Sequence, residues 1–180
     1  MENCVVREIK DFNRLVGLFL LASSMKDENA KNYSIEKMQK RWHNYKLFTV
    51  LEYNNAPVSF SGVYDYGNNL VRVCDRHFTN PDYRQKSMTK NVKERLRPVV
   101  DWFLPYQTKW AKENGYDCFF SIQTPKKRNA IKRVVRLLDD DLGYKVLPGL
   151  YATCNPKSDL CWQNIAATTD KINLPYKSIN

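Results

Sequence analysis

The sequence PDYRQKSMTK, residues Pro81 to Lys90, is the most informative stretch of this chain. It follows a run with the composition of a strand, Leu70 to Phe78, and it opens a segment whose apolar residues have helical spacing. A strand, a tight turn and a helix N-terminus together form a phosphate cradle, because the first-turn N–H groups have no partner within the helix and the helix dipole favours anions. Basic side chains would add charge-assisted contacts at this turn, namely Arg84, Lys86 and Lys90.

This stretch resembles the acetyl-CoA-binding motif of the GCN5-related N-acetyltransferase superfamily, which reads Arg/Gln-x-x-Gly-x-Gly/Ala after a lead-in similar to Pro-Glu-Tyr. The lead-in here is Pro81 to Tyr83, and Arg84 opens the motif. Ser87 and Thr89 stand at the two glycine positions, so the pyrophosphate would lie slightly further out or gain hydroxyl hydrogen bonds. The resemblance implies acetyl-CoA as a cofactor; the alternative is an ordinary turn before a capped basic helix.

The composition is that of a folded globular protein. The chain has 180 residues, of which 43% are hydrophobic and 13% aromatic, and this length predicts one domain. Its longest apolar run, Leu15 to Ala22, is shorter than the roughly 18 residues that a membrane span needs. The first residues, MENCVVREIKDF, are acidic where a signal peptide would be basic. We therefore expect a cytoplasmic protein that makes no use of a membrane.

The cysteines and histidines do not predict a metal site. Five cysteines are scattered without a C-x-x-C motif, which is typical of small buried residues in a reducing compartment. Cys154 and Cys161 could face each other across a loop, but their spacing is not that of a metal site. The two histidines, His43 and His77, have no cluster of carboxylates beside them.

The net charge favours an anionic partner. The chain has 29 basic and 19 acidic residues, a balance of +10, and a pI near 9.4. Such an excess attracts phosphorylated cofactors, nucleic acid or acidic substrates. By itself it does not distinguish among them.

Hydrophobic periodicity predicts the order of the elements. The first half of the chain is predicted to form a short strand, two helices and an antiparallel meander of three strands: strand Val5 to Glu8, a helix from Ile9 to about Ser24, a helix capped by Ser34, and strands Lys46 to Tyr53, Val58 to Tyr66 and Leu70 to Phe78. The second half is predicted to form a helix from Thr89 kinked or broken at Pro98 and Pro105, a buried strand Tyr116 to Gln123, a helix Asn129 to Asp139, and a strand Lys145 to Thr153 broken at Pro148-Gly149.

This order, β-α-α-β-β-β-α-β-α-β, is similar to that of the acetyltransferase superfamily over about residues 4 to 153. It predicts an α/β (α+β) fold with a mixed central sheet, in one domain over 1–167 followed by a polar tail over 168–180. A second family motif, with Asn, Ala-Ile-Arg-Leu-Tyr and a later Gly-Phe, is echoed by the run from Asn129 to Val134 and by Gly143-Tyr144. Val134 stands where a tyrosine is frequent. The residues after Thr153 have no counterpart in this pattern.

The resemblance also implies which residues carry the chemistry. A backbone N–H at Phe78 to Asn80 would hold the thioester carbonyl, and Asp75 and His77, which share a face of a regular strand, would act on the acceptor amine. Because Val134 cannot protonate the thiolate, Tyr144 would do so, or else Tyr151 or water alone. The predicted cofactor-binding residues are Phe78, Thr79, Arg84, Gln85, Lys86, Ser87, Met88, Thr89, Lys90 and Asn129. Asp75 could instead form a surface ion pair with its neighbours Arg72 and Arg76, and His77 could simply pack in the strand.

Two classes of function follow. In the first, the protein is an acetyl-CoA-dependent N-acyltransferase that acts on a primary amine. In the second, it is a basic, non-catalytic module of the same fold that binds nucleic acid. That module would use Tyr106 and Trp110 beside an outward row of basic residues: Lys126, Lys127, Arg128, Lys132, Arg133 and Arg136. A solvated helix face is the other interpretation of this row. An acyltransferase that modifies nucleic acid, as in some phage members of the superfamily, would combine the two classes.

Overall fold

The computed structural model describes residues 4–25, 30–83, 97–125, 145–147, 153–154 and 161–168. The chain divides into two compact units. The first unit comprises Met1–Asp65 and Val73–Gln107, and the second comprises Tyr66–Arg72 and Thr108–Asn180.

The first unit contains the predicted meander. Its strands are β1 (Cys4–Glu8), β2 (Tyr45–Tyr53), β3 (Ala56–Asp65) and β4 (Leu70–Thr79), of which β4 has its first three residues in the second unit. They lie side by side in the order β1-β2-β3-β4. The pairs β1–β2 and β2–β3 are antiparallel, with Val6 opposite Leu51 and Thr49 opposite Ser61. The predicted strand boundaries are confirmed to within two residues, because alternation and turn residues are local signals.

The turns between these strands use asparagine in left-handed conformations. Asn54 and Asn55 join β2 to β3 with φ of 50° and 64°. Two consecutive residues with positive φ fit the type I′ hairpin turn, whose twist matches that of the flanking strands. Asparagine tolerates this region better than most residues do, which is why the Asn-Asn pair marks a turn in the sequence.

Two helices cover one face of the first unit's strands. Asp11 accepts a hydrogen bond from the backbone N–H of Asn13 at 2.9 Å and begins a 3₁₀ turn, Phe12–Leu15, which continues as α1 (Val16–Ser24). The predicted start at Ile9 is wrong by three residues, because the Ile9 N–H donates to the Phe48 carbonyl at 2.8 Å and holds that residue against β2.

The second helix, α2 (Ile35–Trp42), begins where Ser34 was predicted to cap it. Ser34 Oγ accepts from the N–H of Lys37 at 3.4 Å. A serine at this position accepts a hydrogen bond from an N–H that has no partner within the helix.

An aromatic core lies between these helices and the strands. Phe19 of α1 and Met38 of α2 are fully buried against residues from three strands, Phe48, Phe60 and Phe78. The rings of Phe19 and Phe60 meet edge to face with centroids 5.0 Å apart. Burying a side chain of this size stabilises the fold by about 1.5–3 kcal/mol. The core therefore fixes α1 and α2 to β2, β3 and β4.

The predicted effect of the two prolines is visible in the next helical segment. Pro98 occupies the first position of a π-helical turn, Pro98–Phe103, which leads into α3 (Leu104–Glu113). Within it the Leu104 N–H donates to the Val99 carbonyl, five residues back. Pro105 has no N–H to continue the regular ladder, so the wide turn falls directly before it.

The second unit contains four further strands: β5 (Asp117–Pro125), β6 (Lys145–Leu147), β7 (Thr153–Cys154) and β8 (Cys161–Thr168). Residues Leu70 to Arg72 of β4 pair in parallel with β5, and β8 is antiparallel to β5, β6 and β7. The sheet is therefore mixed, and the predicted α/β fold class is confirmed. In the register of β7 and β8, Cys154 and Cys161 are backbone partners, as their predicted approach across a loop requires.

The strand β8 is absent from the predicted order, which ended at Thr153, and this is a correction. Its sequence, CWQNIAAT, has adjacent apolar residues instead of the alternation that marks a half-buried strand. It pairs with β5 on one side and with β6 on the other. The predicted helices over 89–96 and Asn129–Asp139 lie outside the described residues.

Candidate active site

The centre of β4 is not a regular strand. Cys74 and Arg76 have φ of 56° and 48°, in the left-handed region. Neither residue is a glycine or an asparagine, and each such conformation costs about 1–3 kcal/mol. Residues of this kind persist only where the surrounding structure over-determines them, and they cluster at functional sites. The two strained residues flank Asp75, one of the predicted catalytic residues.

Asp75 is buried and its carboxylate is held by two side chains. Only 2% of the residue is exposed. Its Oδ2 accepts a hydrogen bond from Arg41 Nη2 at 2.9 Å and another from the hydroxyl of Tyr45 at 2.8 Å. The Arg41 guanidinium also lies over the ring of Tyr64, 4.1 Å from its centroid. The alternative in which Asp75 lies at the surface is therefore wrong.

Tyr45 acts in this cluster as a proton-bearing phenol. Burial raises its pKa far above the ordinary value for tyrosine, and the negative charge of Asp75 raises it further. Its hydroxyl therefore keeps its proton at physiological pH and donates to Asp75. The carboxylate is stabilised by one cationic and one neutral donor, which is the arrangement that a buried charge requires.

A chain of buried hydrogen bonds supports the strained strand from the side of α3. The N–H of Cys74 donates to Gln107 Oε1 at 2.7 Å. Gln107 Nε2 donates to Thr49 Oγ1 at 2.8 Å, and the Thr49 hydroxyl donates to the carbonyl of Ser61 at 3.0 Å. Gln107, Thr49 and Ser61 are all 0% exposed. Buried N–H groups are almost always paired, and here a side chain supplies the acceptor.

The other predicted residues of β4 have described backbone contacts. His77 is half-buried, and its carbonyl accepts from the hydroxyl of Tyr33 at 2.9 Å. The carbonyl of Phe78 accepts from Ser59 Oγ at 2.6 Å, and the same Ser59 oxygen lies 3.0 Å from Thr79 Oγ1. The N–H of Asn80 donates to the carbonyl of Val58 at 2.9 Å. Within Phe78 to Asn80, then, the Asn80 N–H pairs with β3, and the irregular backbone lies upstream at Cys74 and Arg76.

The lead-in to the predicted phosphate loop is a turn that is held by hydrogen bonds. Pro81–Tyr83 forms a short 3₁₀ turn, in which Asn80 Oδ1 accepts from the N–H of Asp82 at 3.1 Å and the Asn80 carbonyl accepts from the N–H of Tyr83 at 2.9 Å. The ring of Tyr83 lies edge to face against Tyr53, the last residue of β2, with centroids 5.9 Å apart. The direction in which the chain leaves β4 is thus fixed up to Tyr83.

The remaining predicted site residues lie outside the described residues: Arg84, Gln85, Lys86, Ser87, Met88, Thr89, Lys90, Asn129, Tyr144, Tyr151 and the basic row from Lys126 to Arg136. Of the aromatic residues predicted to accompany that row, Tyr106 donates its hydroxyl to Glu8 at 3.1 Å. Trp110 stacks on Tyr116 with centroids 5.8 Å apart.

Sequence reasoning missed Arg41, Tyr45 and Gln107. Arg41 and Tyr45 are four residues apart in the sequence, but the carboxylate that they share is at least 30 residues further along the chain. Gln107 gave one weak signal, an uncharged polar residue within an amphipathic helix.

Within the described ranges no group of three His, Cys, Asp or Glu residues could hold a metal ion, and no helix has the length and apolar character of a membrane span.

No family model and no curated protein sequence matches the chain. Solved structures do match it over nearly its whole length. The ribosomal-protein-S18-alanine N-acetyltransferase of Escherichia coli aligns with 97% of this chain and 99% of its own length, at 10% sequence identity and a TM-score of 0.55. An N-acetyltransferase of Staphylococcus aureus Mu50 aligns with 93% of this chain and 98% of its own length, at 13% sequence identity and a TM-score of 0.59.

A third match is the Salmonella typhimurium protein yncA, whose structure contains its cofactor acetyl-CoA. It aligns with 97% of this chain and 98% of its own length, at 12% sequence identity and a TM-score of 0.53. At such identities the likeness establishes the fold. The chain therefore has the fold seen in acetyltransferases of the GCN5-related N-acetyltransferase (GNAT) family, at sequence identities of 10–13%.

Proposed function

We propose that this protein is an acetyl-CoA-dependent N-acyltransferase that acts on a primary amine. The observation that carries the proposal is the strained centre of β4, where Cys74 and Arg76 flank the buried Asp75. The strand then leads through the fixed turn Pro81–Tyr83 into the predicted phosphate loop. A distorted strand upstream of a phosphate-binding turn suits a reaction in which positioning and backbone donors supply most of the catalysis.

The proposed reaction is a direct transfer. The nitrogen of a neutral amine forms a bond to the thioester carbonyl carbon, the carbon–sulfur bond breaks, and the amine loses a proton while the thiolate gains one. The loop residues Arg84 to Lys90 and Asn129 would hold the cofactor, with Phe78 and Thr79 beside its thioester. Tyr144 would return a proton to the thiolate.

Burial distinguishes the two predicted residues that would act on the amine. Asp75 is almost entirely enclosed and pairs with Arg41, whereas His77 is only half-buried. We assign the proton from the amine to His77, because it is not enclosed and because histidine is the side chain that most often serves as a general base. Asp75 would fix the centre of β4 through its bonds to Arg41 and Tyr45.

The experiment measures acetyl-CoA binding by calorimetry and thiol release with a panel of amines, peptides and oligonucleotides. His77→Gln should lower the rate of thiol release by about 10²–10⁴-fold, the usual loss on removing a general base. His43→Gln is the matched control, because His43 is the other histidine and is exposed at the end of α2. It should keep the wild-type rate.

Three results would contradict the proposal in different ways. Full activity in both His77→Gln and Asp75→Asn would mean that neither residue is needed for the transfer. Binding of acetyl-CoA without thiol release from any acceptor would favour a non-catalytic module. Binding of oligonucleotides without acetyl-CoA, with a steep loss of affinity in salt, would favour the nucleic-acid-binding alternative.

A further inference from the structure

Gln107 is the side chain that accepts a hydrogen bond from the strained centre of β4. It is 0% exposed, and its Oε1 accepts the N–H of Cys74 at 2.7 Å from across the unit, 33 residues away in sequence. Cys74 is itself 3% exposed, so water is not a ready substitute for this acceptor. Without Gln107, the buried N–H of Cys74 would lose this acceptor, and the left-handed conformation would cost more free energy.

The orientation of the Gln107 amide is determined by its two partners. Oε1 faces a backbone donor, the N–H of Cys74, and Nε2 faces Thr49 Oγ1. The Thr49 hydroxyl donates its hydrogen bond to the carbonyl of Ser61, so the Thr49 oxygen is available as an acceptor for Gln107. Turning the amide over would place Nε2 against the N–H of Cys74, two donors facing each other. The network therefore specifies a single arrangement.

This arrangement governs Asp75 because Asp75 lies between the two left-handed residues. In a regular strand Asp75 would project to the face opposite Cys74 and Arg76. With φ positive at both neighbours, its direction depends on the conformation at Cys74, and its carboxylate meets Arg41 and Tyr45. A change at Cys74 would therefore move a charged group that is already paired and buried.

We propose that Gln107 is a positioning residue, which holds Cys74 in the left-handed conformation by accepting its N–H and thereby places Asp75 against Arg41 and Tyr45. The inference concerns the folded protein itself. It rests on the proposed function only for its consequence on turnover.

The first measurement uses the free protein and needs no substrate. In ¹⁵N-labelled protein, Gln107→Met, which conserves volume but removes the carbonyl acceptor, should shift the Cys74 amide resonance and speed its hydrogen exchange by tenfold or more. Gln107→Glu shifts the resonance too, because a carboxyl group replaces the amide, but it keeps an oxygen that accepts from the Cys74 N–H, so this amide should exchange at close to the wild-type rate. Thr108→Val, at the next buried residue of the same helix, is the control for a general disturbance of α3.

An unchanged exchange rate of the Cys74 amide in Gln107→Met, or an equal acceleration of exchange in Gln107→Glu, would overturn the inference. Should Gln107→Met fail to fold, the exchange of the Cys74 amide in Gln107→Glu decides the matter, since an amide that exchanges tenfold or more faster while an oxygen still faces it would show that this acceptor is not what holds it. These outcomes do not depend on whether the protein transfers an acyl group.

The second measurement tests whether Gln107 acts through Asp75. Thiol release is compared for Gln107→Met, Asp75→Asn and the double variant, each at saturating acetyl-CoA. If Gln107 acts by placing Asp75, the double variant should be no slower than Asp75→Asn alone. Losses that multiply would overturn the coupling. A wild type that releases no thiol would instead contradict the proposed function and leave the amide measurement as the test of the inference.

Discussion

Tyr45, the first residue of β2, donates its hydroxyl to Oδ2 of Asp75 in the middle of β4 at 2.8 Å. Arg41, in the last turn of α2, donates to the same oxygen at 2.9 Å. One carboxylate oxygen thus joins the end of a helix, the start of one strand and the strained centre of another. Because Asp75 is buried, the loss of either donor should be felt in both stability and geometry.

The first prediction concerns alkaline pH. The pKa of Tyr45 is raised by burial and by Asp75 above its ordinary value of 10.0. Above that pH the unfolded chain releases the phenolic proton while the folded chain keeps it, so the unfolded state binds fewer protons. The free energy of unfolding should then fall as the pH rises, with a contribution from Tyr45 that approaches about 1.4 kcal/mol per pH unit.

Tyr45→Phe should make this decline shallower, as measured by urea unfolding at several pH values between about 9 and 11. Tyr66→Phe, at a tyrosine that is 43% exposed, is the matched control. Equal slopes in Tyr45→Phe and wild type would show that Tyr45 does not hold its proton in the folded state.

The second prediction concerns Gly62, which lies under the ring of Tyr45. A Cβ added at Gly62 would collide with Tyr45 and would lie 2.9 Å from Phe48 Cδ2. Gly62→Ala should therefore destabilise the protein by about 1–3 kcal/mol and displace Tyr45 from Asp75. Thermal or urea unfolding measures the first effect, and the alkaline slope described for Tyr45 measures the second.

Gly17→Ala provides the control with the opposite sign. Gly17 lies in α1, and a Cβ added there meets nothing within 4 Å. Alanine should stabilise the helix by about 0.5–1 kcal/mol, because glycine loses more backbone entropy on folding. If the two substitutions had similar effects, the close approach at Gly62 would not be the cause.

The third prediction concerns Glu52, a buried carboxylate at the end of β2. It accepts from Arg7 Nε at 2.6 Å and from Arg14 Nη2 at 3.0 Å, and its side chain is 7% exposed while both arginines are about half exposed. Arg7→Met alone should cost at most about 1 kcal/mol, because Arg14 still pairs with Glu52. Replacing both arginines should cost about 3–5 kcal/mol, since a buried charge is then unpaired.

Glu52→Gln should fall between these two, because the arginines that it releases already reach solvent. Urea unfolding at neutral pH gives the order. A double arginine variant as stable as Arg7→Met would mean that Glu52 gains its compensation from other groups.

The fourth prediction concerns cofactor affinity at the turn after Tyr83. Arg84→Ala combined with Lys86→Ala should weaken CoA binding by well over tenfold, since charge-assisted hydrogen bonds contribute about 1.5–3 kcal/mol each. Lys109→Ala combined with Lys112→Ala removes the same charge from exposed positions of α3 and serves as the control. Calorimetric titration with CoA measures both, and equal affinities in the two double variants would remove the turn from the site.

The local features of this protein can be predicted from its amino-acid sequence. Alternation located β2, β3 and β4 to within two residues, the Asn54-Asn55 pair located a hairpin turn, and Ser34 located the start of α2. Each of these depends on interactions within a few residues, so neighbouring positions carry the information. The resemblance at Pro81 to Lys90 also led to the correct fold class.

The surroundings of Asp75 and the position of the last strand depend on tertiary contacts instead. Arg41, Tyr45 and Gln107 lie 30 to 34 residues from the groups they bind in Asp75 and Cys74, and no local pattern indicates that they will reach β4. The sequence does not predict the strain at Cys74 either, because cysteine has no preference for a left-handed conformation, and its acceptor Gln107 comes from a distant helix. β8 was missed for a related reason: its pairing with β5 and β6 makes it a strand despite a sequence that does not alternate.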